Sequence, residues 1–283
     1  MEAIISFFEN IPSLYRTIIL VSGLLFFWII EGIIPVFKPK NQRLKHAGLN
    51  LFFTLTTILV NFCFAWIIVI TCDWCVAHQF GVLYLIKLPL WLMMCIGLLL
   101  LDLIGAYLIH YLEHKIRVMW VFHLIHHTDT HVDVTTANRH HPGESVFRFV
   151  FTFLAILITG APIWIFMMYQ TFSAMLSQFN HANIHLPKKI DTFISYLIVS
   201  PDMHKVHHHY VQPYSDSNYG NIFSIWDRLF GTFMTVKDTK KIIYGVDTHL
   251  DTKENSNILN LLKIPFQPYR PPVGTKNEED LRI

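Results

Sequence analysis

Charge is what this sequence lacks most. Only 15% of its 283 residues are Asp, Glu, Lys or Arg, while 53% are hydrophobic. Soluble domains carry about 25% charged residues, so the composition excludes an ordinary soluble domain and indicates a membrane protein. The charges nearly cancel, to +2 with histidines neutral, so no nucleic-acid partner is expected. Cysteine is scarce too. Cys63, Cys72, Cys75 and Cys95 all lie in or beside apolar stretches. Cys72 and Cys75 form one C-x-x-C with no second pair, and read as buried apolar thiols rather than a metal or redox site. No internal repeat is visible. The first apolar run has an acidic flank (Glu2, Glu9) and no small-x-small cleavage site after it, so a retained transmembrane helix is expected in place of a signal peptide. The terminal "EEDLRI" lacks an endoplasmic-reticulum retrieval lysine motif. The expected location is a bacterial cytoplasmic membrane, or the endoplasmic reticulum if the source is eukaryotic.

What the chain has in abundance is apolar sequence, in four zones: 15–37, 47–71, 88–109 and 146–179. The first three are each long enough to cross a bilayer. Between the first two lies "KPKNQRLK", with Lys38, Lys40, Arg43 and Lys45, which the positive-inside rule puts in the cytoplasm. The third helix then returns inward and delivers His110 to the cytoplasmic face. The fourth zone is broken by Gly160-Ala161-Pro162. Proline interrupts a helix and glycine permits a tight turn, so 146–179 is expected to be a hairpin that dips in and returns. The fold class is all-α integral membrane: three transmembrane helices over residues 1–100, then a segment 101–235 holding the hairpin and a histidine-rich helical cap. A cytoplasmic C-terminal tail, 236–283, follows, loosely ordered at its end.

The second abundance is histidine, seventeen in all. "HYLEH" supplies His110 and His114. "HLIHH" supplies His123, His126 and His127. "HANIH" supplies His181 and His185, and "HKVHHH" supplies His204, His207 and His208. Helical positions three and four apart share a face, so each group aims two or three imidazoles one way. One H-x-x-H-H arises by chance with odds on the order of a few per cent, and two are far rarer. Ten imidazoles exceed the four of a closed zinc site. They suit two metal ions with about five ligands each and an open position, and such a set fits iron and oxygen chemistry. His46, His78, His131, His140, His209 and His249 read as interfacial or surface-filling histidines.

The spacing H-x3-H, H-x2-H-H, H-x3-H, H-x2-H-H resembles that of the fatty acid hydroxylase superfamily, also called the sterol desaturase family. The likeness extends to "WVFHLIHHTD", "NRHHPGE", "NHANIHLP", "SPDMHKVHHH" and "DSNYGNIFSIWDRLFGTF", over about residues 101–233. It implies a membrane oxygenase with two non-haem irons. Such an enzyme hydroxylates or desaturates a lipid (a sterol, a fatty acyl chain or a related lipid) with dioxygen as co-substrate. The metal ligands would be His110, His114, His123, His126, His127, His181, His185, His204, His207 and His208. No segment resembles a fused cytochrome domain, so electrons would come from a separate ferredoxin or small cytochrome with its reductase. Two other classes fit the same histidines: a membrane zinc hydrolase with Glu113 or Glu144 as base, and a metal-transport or metal-binding protein.

Histidine ligands usually donate their second N–H to a carboxylate or carbonyl. Candidates are Asp102, Asp129, Asn180 and Asn218, with Asp133 and Asp202 behind them. Asp102 is notable because intramembrane carboxylates are costly and face a partner; the alternative is a structural pairing with a neighbouring helix. Glu31 has a weaker case. Arg139 and Glu144 resemble a loop of that family, with a structural salt bridge as the alternative reading. Trp120, Trp226 and Phe230 read as interfacial anchors rather than the lining of a lipid entry path.

Overall fold

The computed structural model describes residues 1–38 and 42–273. Lys40 of the basic loop and the terminal "EEDLRI" lie outside the described residues. The apolar zones form helices whose ends are set largely by proline and glycine. A short α1 (Glu2–Glu9) precedes α2 (Ser13–Ile33) and the long α3 (Arg43–His78). α4 (Leu90–Asp102) passes through a π-helical stretch, Leu103–Leu108, into α5 (Ile109–Lys115). Then come α6 (Arg117–His127), α7 (Pro142–Thr159), α8 (Ile163–His181), α9 (Lys188–Ile194), α10 (Pro201–His207), α11 (Ile225–Leu229), α12 (Thr252–Asn255) and α13 (Ile258–Lys263). Four helical stretches are long and apolar enough to cross a bilayer: Ser13–Ile33, Arg43–Tyr84, Leu90–Lys115 and Pro142–Thr159. Among the described residues β pairing is limited to three isolated bridges, so the protein is all-helical, as expected.

The break at Gly160-Ala161-Pro162 is a helical hairpin. Gly160 ends α7 at φ 75, and Pro162 caps the start of α8. The arms reach deeper than a dip. α7 has 18 residues, about 27 Å of helix, close to the thickness of the hydrocarbon core. The turn meets the α3–α4 connection. A Cβ at Gly81 (φ 109) would collide with the Gly160 backbone, and one at Gly160 with the carbonyl of Phe80. Glycine at both positions lets two turns touch, backbone to backbone, at the end of the bundle away from the histidines. Leu101, Ile156 and Ile165 are fully buried between the arms and α4.

The opposite end is sewn together by polar groups. Phe37 N–H donates to Asn183 Oδ1 at 3.0 Å, and Pro35 bridges Ile184. The α2–α3 turn therefore shares a face with the end of α8. Glu31, at the end of α2, accepts from Arg43 at 2.8 Å and from the N–H groups of Val134 (2.7 Å) and Asn183 (2.9 Å). Asp102 is fully buried in α4. It accepts from the N–H groups of Ile222 (3.2 Å) and Phe223 (3.1 Å) and from Trp226 Nε1 (3.0 Å). A carboxylate at this depth is tolerated because both of its oxygens meet donors.

The C-terminal stretch differs from the expected tail. Ile242 and Tyr244 pack with Val132 and Val206, and Leu261 and Ile264 pack with Trp120, Leu124 and Ile125. These apolar side chains make residues 242–264 part of the cap. α1 was also not anticipated; its Ile5 and Phe8 pack against the main core.

Candidate metal centre

Nine of the ten grouped histidines converge, and they divide into two sets. His110, His114, His123, His127 and His207 each offer one nitrogen within 4.8 Å of the others. So do His126, His181, His204 and His208. All nine are buried. The division follows from helix geometry. On α6, His123 and His127 are one turn apart and face the first set, while His126 lies about 100° round from His127 and faces the second. On α10 the assignment reverses. His204 and His208 lie one turn apart and face the second set, while His207 faces the first. Each H-x-x-H-H thus spans both sets.

Within each set the Nε2 atoms nearly touch. His127 Nε2 is 3.1 Å from both His114 Nε2 and His123 Nε2. His181 Nε2 is 3.1 Å from His126 Nε2 and 3.0 Å from His204 Nε2. Nitrogens bound at right angles to one ion at about 2.1 Å would lie about 3.0 Å apart. Hydrogen bonding alone does not satisfy the cluster. The buried Nε2 atoms of His110, His207 and His208 have no partner among the described residues, and an orphaned buried polar atom is costly. A cation at each focus would satisfy all of these nitrogens, so the donor set fits metal ions.

The far nitrogens show how the rings are held. Nδ1 of His110 lies 2.8 Å from Tyr219 O, that of His207 2.7 Å from Ser217 O, and that of His181 2.8 Å from Ser177 O. Nδ1 of His114 meets Asp216 Oδ1 at 3.2 Å, and that of His123 meets Glu144 Oε1 at 2.8 Å. Such contacts fix the tautomer, with hydrogen on Nδ1 and the Nε2 lone pair free for a metal. Burial pushes the His123 imidazole down to about 4 against the pull of Glu144, and His207 down to about 3 against its bond to Ser217. Burial and neighbouring histidines hold His126, His127, His204 and His208 well below the usual range. The rings are neutral at pH 7, the form that binds metal.

Three of those partners lie in one loop, Asp216 to Tyr219, within the turn-rich "YSDSNYGN". Asn218 sits between two of them with φ 55, so Ser217 and Tyr219 can present their carbonyls to different histidines. Its amide donates to Met203 O (2.9 Å) and Met234 O (2.8 Å) and its Oδ1 accepts from Met234 N–H. Asp227 accepts from the N–H groups of Tyr219 and Gly220. The Asp102 contacts described above hold the loop's other end. Replacing Asp216 by Asn is expected to weaken metal binding about 10–100-fold, read by competition with a chelator; unchanged affinity would mean that Asp216 serves only Lys115 and Gln212, its other partners.

Several expected residues stand elsewhere. His185 is exposed and belongs to neither set. α8 ends at His181 and the chain runs extended, with His185 N–H donating to Ile34 O at 2.8 Å. The i,i+4 reading fails there because it assumes a helix that has already ended. His185→Ala is therefore expected to keep the metal content of the parent, checked by elemental analysis.

None of the four expected side-chain partners bonds a clustered histidine. Asp102 holds the loop. Asp129 accepts from His46 (2.9 Å) and Thr136 (2.7 Å). Asn180 donates to Asn221 O at 3.4 Å, and the Asn218 side chain holds Met203 and Met234. Asp133 serves Thr135, and Asp202 serves Lys205 and Thr239. Trp120 and Trp226 are buried, against His114 and His127 and on Asp102 respectively, so neither is an interfacial anchor; Phe230 is exposed. Glu144, read as one half of a salt bridge, and His140, read as a surface-filling histidine, both touch the site. Glu144 holds His123, and His140 stacks on His126 with ring centroids 4.8 Å apart. Their only sequence signal was "NRHHPGE".

Residues 94–232 match the family model described as fatty acid hydroxylase. The chain is 28% identical over 146 residues to ornithine lipid hydroxylase OlsE of Rhizobium tropici, an alignment covering 51% of this chain and 43% of that protein. It is 32% identical over 152 residues to alkylglycerol monooxygenase of Danio rerio, covering 53% of this chain and 32% of that protein. A very-long-chain aldehyde decarbonylase of Oryza sativa subsp. japonica is 23% identical over 168 residues, covering 58% of this chain and 62% of the relative. The chain thus spans less than half the length of the first two. No solved structure matches it.

Proposed function

We propose that this chain, which belongs to the fatty acid hydroxylase family through residues 94–232, is a dioxygen-dependent lipid hydroxylase with two non-haem irons. The observation that carries this reading is the pair of buried histidine sets. His110, His114, His123, His127 and His207 hold one ion. His126, His181, His204 and His208 hold the other and leave it the more open coordination. Iron bound there supplies the activation of dioxygen that a carbon–hydrogen bond demands.

The protein's own part is positional. Asp216, Ser217, Tyr219, Glu144 and Ser177 hold Nδ1 of five imidazoles, so each Nε2 points at its focus. The buried rings of Trp120 and Tyr219 pack on the first set and keep water from it. Glu144 Oε1 is held by His123 and Arg148, and Glu113 Oε2 is paired with Arg148 at 2.7 Å, so both carboxylates also brace the rings.

The chain is a multi-pass membrane protein, and the basic residues Lys38, Arg43 and Lys45 share a face with the site, which supports a cytoplasmic active site. The substrate is a bilayer lipid. The names of the two relatives suggest an ornithine lipid or an alkylglycerol as the first to try, beside fatty acyl and sterol lipids. Electrons come from a separate ferredoxin or small cytochrome with its reductase. Hydroxylation is preferred over desaturation because those two relatives are named for oxygen insertion. The test is iron-reconstituted protein with a reductant and oxygen-18 gas over ornithine lipids, alkylglycerols, fatty acyl lipids and sterols. One labelled hydroxyl in a lipid product is expected. Dioxygen-independent turnover, or no product from any class with both ions bound, overturns the reading.

A further inference from the structure

A roomy cavity lies apart from the histidine centre. It measures about 1070 Å³ and opens where the α2–α3 turn meets the C-terminal stretch. None of the nine clustered histidines lines it. Its walls are of two kinds. Phe37, Leu49, Val132, Ile242, Tyr244 and Leu250 supply an apolar side, and the rest is charged.

The charged side is unbalanced. Its three carboxylates are already engaged. Glu31 holds Arg43 and two backbone N–H groups, Asp129 holds His46 and Thr136, and Asp133 accepts from Thr135. Arg139 is equally committed, to Ile125 O, Asn50, Thr128 and Asn255 O. Arg43 is taken by Glu31 and lies 3.7 Å over the Trp28 ring. What remains are Lys38, Lys45 and Lys253. All three line the cavity, are exposed, and have no carboxylate partner among the described residues. Three free ammonium groups around an apolar cavity favour an anion with an apolar body.

Location fixes the kind of anion. The cavity borders the ends of two helices long and apolar enough to cross the bilayer, α2 and α3, so its mouth lies at headgroup level. Lysine at that level attracts anionic lipid. The volume is ample for a headgroup and the first part of its chains, since ligand pockets typically run about 300–1,000 Å³.

We propose that this cavity binds one anionic amphiphile, with its phosphate on Lys38, Lys45 and Lys253 and its apolar part against Phe37, Val132 and Leu250. The site is separate from the histidine centre and does not depend on the reading given to that centre. It does touch the same framework. Arg139 and Thr128 line the cavity, and both bond carbonyls or side chains at the end of α6, which carries His126 and His127.

The same chemistry could be met by free phosphate, so the test separates the two sources. The full chain in mild detergent is incubated with phosphatidylglycerol, phosphatidylcholine or inorganic phosphate, and retained ligand is counted by native mass spectrometry. One phosphatidylglycerol per chain is expected to survive conditions that strip phosphatidylcholine, and a hundredfold excess of phosphate is expected not to displace it. The combined variant Lys38→Gln, Lys45→Gln, Lys253→Gln changes only exposed side chains, so it folds, and it should retain at least tenfold less. A control with Lys188→Gln, Lys189→Gln and Lys237→Gln, exposed lysines outside the cavity, should retain as much as the parent. Equal retention of both lipids, equal loss in the control, or no loss in the cavity variant overturns the proposal. Displacement by phosphate alone overturns the amphiphile and leaves a small-anion site.

Discussion

Alanine at His126 is expected to empty one metal site and spare the other. His126 belongs only to the four-histidine set and His127 only to the five-histidine set, although they are adjacent in sequence. His126→Ala reduces the second set to three nitrogens, and the metal content of the purified protein should fall from about two ions per chain to about one. His127→Ala should empty the other site to the same extent. Activity should fall in each variant by more than the roughly 10–100-fold that loss of an outer partner brings. Elemental analysis beside turnover checks this. Retention of both ions in either variant would remove that histidine from the ligand set, and loss of both ions in each would mean the two sets do not fill separately.

The second large effect is expected at Glu144. Its Oε1 meets His123 Nδ1, Arg148 Nε and His140 Nδ1, each at 2.8 Å, and Arg148 reaches on to Glu113 at 2.7 Å. Glu144 and Glu113 are fully buried. Glu144→Ala would leave a guanidinium and two imidazoles facing a void, and breaking a buried pair from one side costs about 3–5 kcal/mol. For a chain of this size each kcal/mol moves the melting midpoint by about 2–4 °C, so thermal unfolding in detergent should drop by roughly 10 °C. Glu144→Gln keeps the acceptor for His123 and gives up the charge, so its loss should be smaller. An alanine variant that melts with the parent would show that Arg148 and Glu113 hold this corner without Glu144.

The expected parts of the fold were those set by local chemistry. Three apolar runs of bilayer length became three of the four candidate spans, and Gly160-Ala161-Pro162 made the hairpin, whose first arm is the fourth, because φ 75 and a proline cap leave little else. Nine histidines came together because H-x-x-H-H on a helix must face two ways at once. The misplacements share one cause. Partners such as Asp216 and Glu144 were chosen by the three-dimensional path of loops, and sequence proximity gives no measure of that. Asp129, beside His127, was expected to hold a histidine of the cluster and holds His46 instead. Asp216, a hundred residues from His114, holds that histidine. Trp120 and Trp226 carry the composition of interfacial residues, but their burial depends on α13 and on Asp102, neither of which local periodicity reveals.

The shared use of α6 and α10 by both sets has a consequence for biosynthesis. The spans can enter the membrane one after another as the ribosome makes them. Neither metal site can, because each needs His204, His207 or His208 from α10, and the first set also needs the carbonyls of Ser217 and Tyr219 beyond it. On the proposed reading, insertion would precede metal loading. A nascent chain halted before residue 207 already owns its candidate spans and holds neither complete set of histidines.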